Sequence, residues 1–234
     1  MFGQYTFPLT IDLAGVFLAF EKAEDNFIYR RQCQEGSVTK ALLNCCSTVL
    51  IHPIEPLNTP KSLTPNLLID FENSVVLEPR AEQTIFLKFP VEIGVFISST
   101  QGQQLVDVFS LQKQKFTVYG EPSDGVLCKH WKSAVYTDIP DTNPCLEGVL
   151  ELNITSANTT WLEITKVVVS AYGMKIFFDN QMVALKGSLK IKNGIAETDF
   201  EDAPLKTGMI RATKNFTARL LSTTAAKFVM EHGI

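Results

Sequence analysis

From Ile85 to Ile97 every second residue is apolar: Ile85, Leu87, Phe89, Val91, Ile93, Val95 and Ile97, with Lys88, Glu92 and Gly94 among the residues between. A strand sends successive side chains to opposite faces, so this spacing paints one face apolar. A helix would scatter the same residues around its circumference. Pro90 has no N–H to give to a ladder, which predicts a bulge, an edge position or a crossing between sheets. Gly94 suits a similar bend.

The same period recurs. Leu185, Gly187, Leu189 and Ile191 alternate with Lys186, Ser188, Lys190 and Lys192, and Asn193-Gly194 then leads into Ile195–Phe200. Asn-Gly supplies the two positive-φ residues of a tight hairpin turn, so a hairpin of about 185–192 and 195–200 is predicted. Leu13–Phe20 reads as a strand, a glycine turn and a second strand. Further extended runs fall at about 4–13, 16–22, 27–33, 47–52, 67–71, 105–111, 115–119, 125–136, 148–155, 161–172 and 174–178. Polar turn clusters separate them, and no helix separates consecutive strands at the spacing a parallel sheet requires.

The expected fold is all-β: two packed β-sandwich lobes, Ig-like or jelly-roll-like, over residues 1–112 and 113–234, with one continuous β domain as the alternative. One helix is predicted near the C-terminal end, at about 204–220, from Leu205, Met209, Ala212, Phe216 and Leu220 at helical spacing behind Pro204. The stretch His52 to Pro65, with Pro53, Pro56, Pro60 and Pro65, reads as a long loop or an extended connection between strands. Lys227–Ile234 is apolar enough to dock as a last strand.

Composition closes off some functions. Of 234 residues 45% are hydrophobic, which excludes wholesale disorder. Lys and Arg number 21 against 25 Asp and Glu, a net charge of -4 that is not built to neutralise a phosphate backbone. The apolar run Leu13–Phe20 is too short to span a membrane, follows Asp12 and has no basic residue before it, so no signal peptide is expected. The five cysteines (Cys33, Cys45, Cys46, Cys128 and Cys145) are odd in number and irregularly spaced, which suits free thiols in a reducing interior. A cytoplasmic location is expected. The sequons at Asn153, Asn158 and Asn215 then carry no weight.

No phosphate-binding glycine loop, dinucleotide fingerprint, nucleophile elbow or H-E-x-x-H motif occurs. The three histidines are His52, His130 and His232. Cys128 and His130 share a strand face and could ligate zinc with Cys33, Cys145 or a carboxylate. No second close pair accompanies them, and a buried cysteine beside a hydrogen-bonded histidine is the simpler reading. Asp70 and Glu72, and the group Glu197, Asp199, Glu201 and Asp202, could serve acid–base or cation chemistry, although a solvated strand face is commoner. Trp131, Tyr136 and Trp161 could form a stacking platform for a sugar, while most aromatics belong to a core. Arg30-Arg31 beside Tyr29 reads as a rim contact or as the charged end of a strand.

Several segments together carry a resemblance: FPVEIGVFIS (89–98), DVFSLQKQKFTVYGEPSDGVLCKHWKS (107–133), VVVSAYGMKIFFD (167–179) and KFVMEHGI (227–234), with the opening FGQYTFP and FIYRR. The chain resembles, from end to end, an archaeal family known only as a domain of unknown function. That resemblance brings no established activity and no site residues. Some members occur beside genes for small-conductance mechanosensitive channels, which implies a membrane-channel partner.

The expected role is a non-catalytic, intracellular binding or assembly module, regulatory in character, that recognises a protein partner or a second copy of itself through a sheet face or strand edge. It needs no cofactor, inserts in no membrane and binds no nucleic acid. A carbohydrate- or small-ligand-binding sandwich comes second, and a metal-dependent hydrolase using Cys128 and His130 third.

Overall fold

A computed structural model describes residues 2–234 except 25, 35, 44–47, 58–62, 100–101 and 213–226. The first strands are β1 (Gly3–Thr6), β2 (Leu9–Leu13), β3 (Val16–Ala23), β4 (Asn26–Cys33), β5 (Gly36–Leu42) and β6 (Thr48–Ile54). Next come β7 (Asn66–Leu77), β8 (Glu82–Pro90), β9 (Glu92–Ser99), β10 (Gly102–Phe109), β11 (Phe116–Tyr119), β12 (Val126–Ser133) and β13 (Glu147–Ser156). The last are β14 (Leu162–Ser170), β15 (Phe177–Phe178), β16 (Val183–Lys192), β17 (Ile195–Glu201), β18 (Ile210–Arg211) and β19 (Phe228–Met230). The protein is all-β, and no α-helix occurs among the described residues.

The strands form four sheets among the described residues. Sheet 1 runs β1-β6-β9-β10, sheet 2 runs β2-β3-β4-β5 and sheet 3 runs β11-β12-β7-β14. Sheet 4 runs β18-β15-β16-β13-β8, with β17 beside β16 and β19 beside β17. Sheets 1 and 2 are antiparallel throughout. Sheets 3 and 4 each contain a parallel pair, β12 with β7 and β13 with β16. Those partners lie far apart in sequence and are joined through other strands, so the lack of an intervening helix gave no hint of them. The expected boundary at 112–113 falls between β10 and β11. Across it, β7 pairs with β12 and β14, and β8 pairs with β13.

The long alternating run divides at Pro90. β8 ends there against Glu147 of sheet 4, and β9 opens at Glu92 in sheet 1. The chain therefore crosses between sheets, held at the crossing by the Val91 N–H donating to the Leu146 carbonyl at 3.1 Å. Its apolar side never leaves the core: Leu87, Phe89, Val91, Ile93 and Val95 are all buried in one continuous cluster. That cluster also takes Leu18 and Tyr29 from sheet 2, Leu67 and Val167 from sheet 3 and Leu185 from sheet 4. Burial of each large side chain contributes roughly 1.5–3 kcal/mol.

The turns follow the residues. Asn193 and Gly194 both have positive φ, 53° and 78°, and close β16 onto β17. Ala14 and Gly15 do the same between β2 and β3, with the Asp12 carboxylate accepting from the Gly15 N–H at 2.9 Å. The run read as one strand over 4–13 is two, β1 in sheet 1 and β2 in sheet 2, parted at Phe7-Pro8. The tail docks as β19 against β17, as its apolar residues require.

The helix expected at about 204–220 is not formed where the residues are described. Gly208 takes a left-handed φ of 91°, which breaks any helical repeat there. Ile210–Arg211 instead pairs with Phe177–Phe178 as β18, and Met209 is buried in a small cluster with Val149, Phe177, Met182 and Ala184. The apolar residues at helical spacing thus report one buried methionine and a strand edge. Residues 213–220 of that expectation lie outside the described residues.

Candidate functional site

Alternation along β4 sends Tyr29, Arg31 and Cys33 to the inner side, while Arg30 faces solvent and meets Glu21 at 3.4 Å. Opposite them is β10. Its register against β9 slips between Leu105 and Asp107: Leu105 pairs with Phe96, whereas Asp107 pairs with Val95. The extra residue changes which face follows, so Asp107 and Phe109 join Val95 and Ile93 on the core side. A bulge thereby delivers a carboxylate to the inner face of sheet 1, facing sheet 2.

There the Tyr29 hydroxyl donates to Asp107 Oδ2 at 2.8 Å, and Arg31 Nε donates to the same oxygen at 2.7 Å. Tyr29 is fully buried and Asp107 is 8% exposed. Burial, reinforced by the adjacent carboxylate, drives the Tyr29 phenol far above its ordinary pKa, so it remains a donor. The Arg31 guanidinium lies 5.3 Å over the Phe109 ring, and Nη1 reaches Cys33 Sγ at 3.6 Å. Lys40 Nζ donates to the Val106 carbonyl within the bulge. Arg31 is thus fixed along one edge and one face.

Beside this network opens a cleft of about 570 Å³. Val16, Arg31, Cys33, Ser37, Phe109 and Gln112 contribute to its walls. The volume lies within the range of small-molecule sites. An arginine cannot surrender its proton at accessible pH, and the buried Tyr29 hydroxyl is committed to Asp107. This arrangement can hold a hydrogen-bond acceptor. In the sequence the signal was slight: Tyr29 and Arg31 two apart in a strand share one face. Asp107 could not be found, because the bulge that turns it inward leaves no mark in the residue pattern.

The candidates from the sequence lie elsewhere and apart. Cys128 is fully buried, its thiol pushed up to about 12 by burial. His130 Nε2 lies 3.3 Å from Asp70 Oδ2. Cys33 is at the cleft, and Cys145 is buried behind the turn where its N–H bonds Asn143 Oδ1 at 3.1 Å. Among the described residues, no three His, Cys, Asp or Glu side chains gather in a group fit to hold a metal ion. Glu197 and Asp199 meet Lys227 at 2.7 and 3.4 Å, and Asp202 meets Arg211 at 2.7 Å.

The aromatic residues do not converge. Trp131 sits half-buried against the core with its indole nitrogen unpaired, opposite Ile69 of β7. Trp161 is 61% exposed and precedes Leu162, which pairs with Leu77 eight residues further along β7. At the rise of a strand that separates the two tryptophans by roughly 26 Å. Tyr136 is bridged to Phe86 of β8, with Lys88 Nζ 5.8 Å over its ring.

Two features went unread in the sequence. Lys129 and Glu92 form an ion pair of 2.6 Å with side-chain exposures of 2% and 0%. Burial pulls the Lys129 pKa down against the opposing pull of Glu92. The two residues are 37 apart in the chain, and only the fold brings Lys129 of β12 to Glu92 at the start of β9. His52 is also buried, against the rings of Phe96 and Phe178.

The chain belongs to the family described as "Protein of unknown function (DUF432)", whose match spans residues 1–231. No curated protein and no solved structure matches it. Among the described residues no helix is long and apolar enough to cross a membrane.

Proposed function

We propose that this family member is a non-catalytic binding module built as two face-to-face β-sandwiches, holding a small ligand with an acceptor oxygen in the Arg31 cleft. Contacts between sheets support the sandwich reading. Tyr29, Arg31 and Lys40 of sheet 2 bond to β10 of sheet 1. Thr198 Oγ1 of β17 donates to the Val168 carbonyl of β14 at 2.9 Å, and the Val168 N–H reaches Met230 Sδ at 3.4 Å. Free thiols at Cys33, Cys128 and Cys145 support a reducing, cytoplasmic setting.

The observation that carries the function is the state of Arg31. Asp107 and Phe109 orient it in advance, and its guanidinium N–H groups beyond Nε and the Cys33 contact have no partner among the described residues. A fork held in place loses little freedom when it grips a carboxylate or phosphate. The test is a thermal-shift titration with phosphate, succinate and adenosine monophosphate. One of them should raise Tm saturably, by about 5–11 °C at a hundredfold excess over Kd. Arg31→Lys, which keeps the charge beside Asp107 but not the fork, should abolish the shift. Stabilisation by none of the three, or an equal shift in Arg31→Lys, would overturn the proposal.

A second reading is recognition of a protein partner or of another copy through a strand edge. β11 is the outer strand of sheet 3, and Val118 and Leu127, directly opposite each other across β11 and β12, are 48% and 37% exposed. Sizing of wild-type protein against Val118→Lys tests it. An identical monomer in both would remove self-association by this edge.

A further inference from the structure

A second cavity, of about 390 Å³, lies on the other face of sheet 1, lined by Phe2, Gln4, Leu50, His52, Phe178 and Ile210 among others. His52 is 4% exposed and pairs across the ladder with Gly94 of β9. Its ring stacks on Phe96 at 4.5 Å between centroids and lies nearly parallel to Phe178 at 5.9 Å. Gly94 makes the closer stack possible: a Cβ there would stand 2.5 Å from Phe96 Cε2 and 2.9 Å from Ile54 Cγ2. The stack therefore occupies space left by a missing side chain.

His52 Nδ1 lies 3.0 Å from the Pro53 carbonyl oxygen. A carbonyl only accepts, so Nδ1 carries the hydrogen and Nε2 keeps a bare lone pair. That Nε2 is buried and has no hydrogen-bond partner. Burial also holds the imidazole neutral by lowering its pKa. Native folds rarely leave such an acceptor dry without a reason.

We propose that this cavity is a binding site for a small, neutral ring molecule that brings one N–H or O–H donor to His52 Nε2. An anion would meet a lone pair, and among the described residues no second and third ligating side chain joins His52 to hold a metal. Phe2, Leu50, Phe178 and Ile210 supply apolar walls for a ring. His52 and Phe178 share the cavity wall, and Phe178 stacks at the wider of the two distances, so displacing that ring widens the way to His52. This site is separate from the Arg31 cleft and does not depend on it.

The experiment uses whole protein labelled with ¹³C at histidine Cε1, where only three histidines give signals. Phenol is the probe, toluene the ring without a donor and benzoate the anion. Phenol should move the His52 resonance saturably and raise Tm, whereas benzoate should do neither. In His52→Phe, which keeps the stack but removes the acceptor, phenol affinity should fall roughly tenfold, to that of toluene. Phe178→Leu should bind phenol more tightly than wild type. Equal binding of phenol and toluene by wild-type protein would overturn the proposal. So would a His52 signal that stays still in both wild type and Phe178→Leu, leaving a bridging water as the partner of Nε2. The wild-type comparison decides the matter even where His52→Phe fails to fold.

Discussion

Lys129→Met is the sharpest perturbation of the core. It removes one half of an ion pair whose side chains are 2% and 0% exposed at 2.6 Å, and leaves the Glu92 carboxylate in the protein interior. Breaking a buried pair from one side costs about 3–5 kcal/mol, because the surviving carboxylate keeps its desolvation penalty and loses the attraction of the ammonium. For a chain of this length that corresponds to a fall in Tm of roughly 6–20 °C. Replacing both residues, Lys129→Met with Glu92→Leu, removes the penalty together with the attraction and should return stability to within about 1 kcal/mol of wild type. Urea unfolding of wild type, both single variants and the double variant yields the coupling directly. The pH dependence gives an independent check. Burial, opposed by Glu92, places the folded Lys129 pKa below its ordinary 10.5, so between those values the folded state binds fewer protons than the unfolded state. Stability from this group therefore rises with pH through that window, and Lys129→Met should flatten the rise. A cost under about 1 kcal/mol for Lys129→Met would refute the reasoning, since a solvated pair behaves that way.

Other outcomes follow from single contacts. Gly94→Ala forces a Cβ into the Phe96 ring at 2.5 Å and should destabilise by about 1–3 kcal/mol in urea titration, with loss of the ring-current shift on His52. Tyr29→Phe deletes a buried donor to Asp107 and should cost roughly 1–3 kcal/mol by the same measurement. Thiol labelling mapped by mass spectrometry should leave Cys128 and Cys145 unmodified until the protein unfolds, because both are fully buried and burial raises both thiol pKa values.

The strand content was legible because its cause is local. The Ile85–Ile97 alternation, the Asn193-Gly194 turn and the apolar tail each encode their own geometry, and of the three readings open at Pro90 the crossing between sheets is the one formed. The candidate site was mostly illegible because its causes are not local. Arg31 meets Asp107 across 76 residues, and Lys129 meets Glu92 across 37. A one-residue bulge decides which way Asp107 faces. Glu92 and Phe96, on the side of β9 that looked solvent-facing, are buried because that side of sheet 1 is also covered. The helical spacing at 204–212 failed for the opposite reason: a strand edge at Phe177–Phe178 was there to be paired, and Gly208 let the chain turn to pair it.

The central claim is that a pre-oriented Arg31 grips an acceptor-bearing ligand. The most direct measurement follows the Arg31 side-chain ¹⁵N–¹H resonances as phosphate, succinate or adenosine monophosphate is added. The account predicts an Nε–H signal that is already sharp, from its bond to Asp107, and Nη signals that shift saturably with at least one of the three. Nη signals unmoved by all three, at concentrations that would fill even a millimolar site, would contradict it.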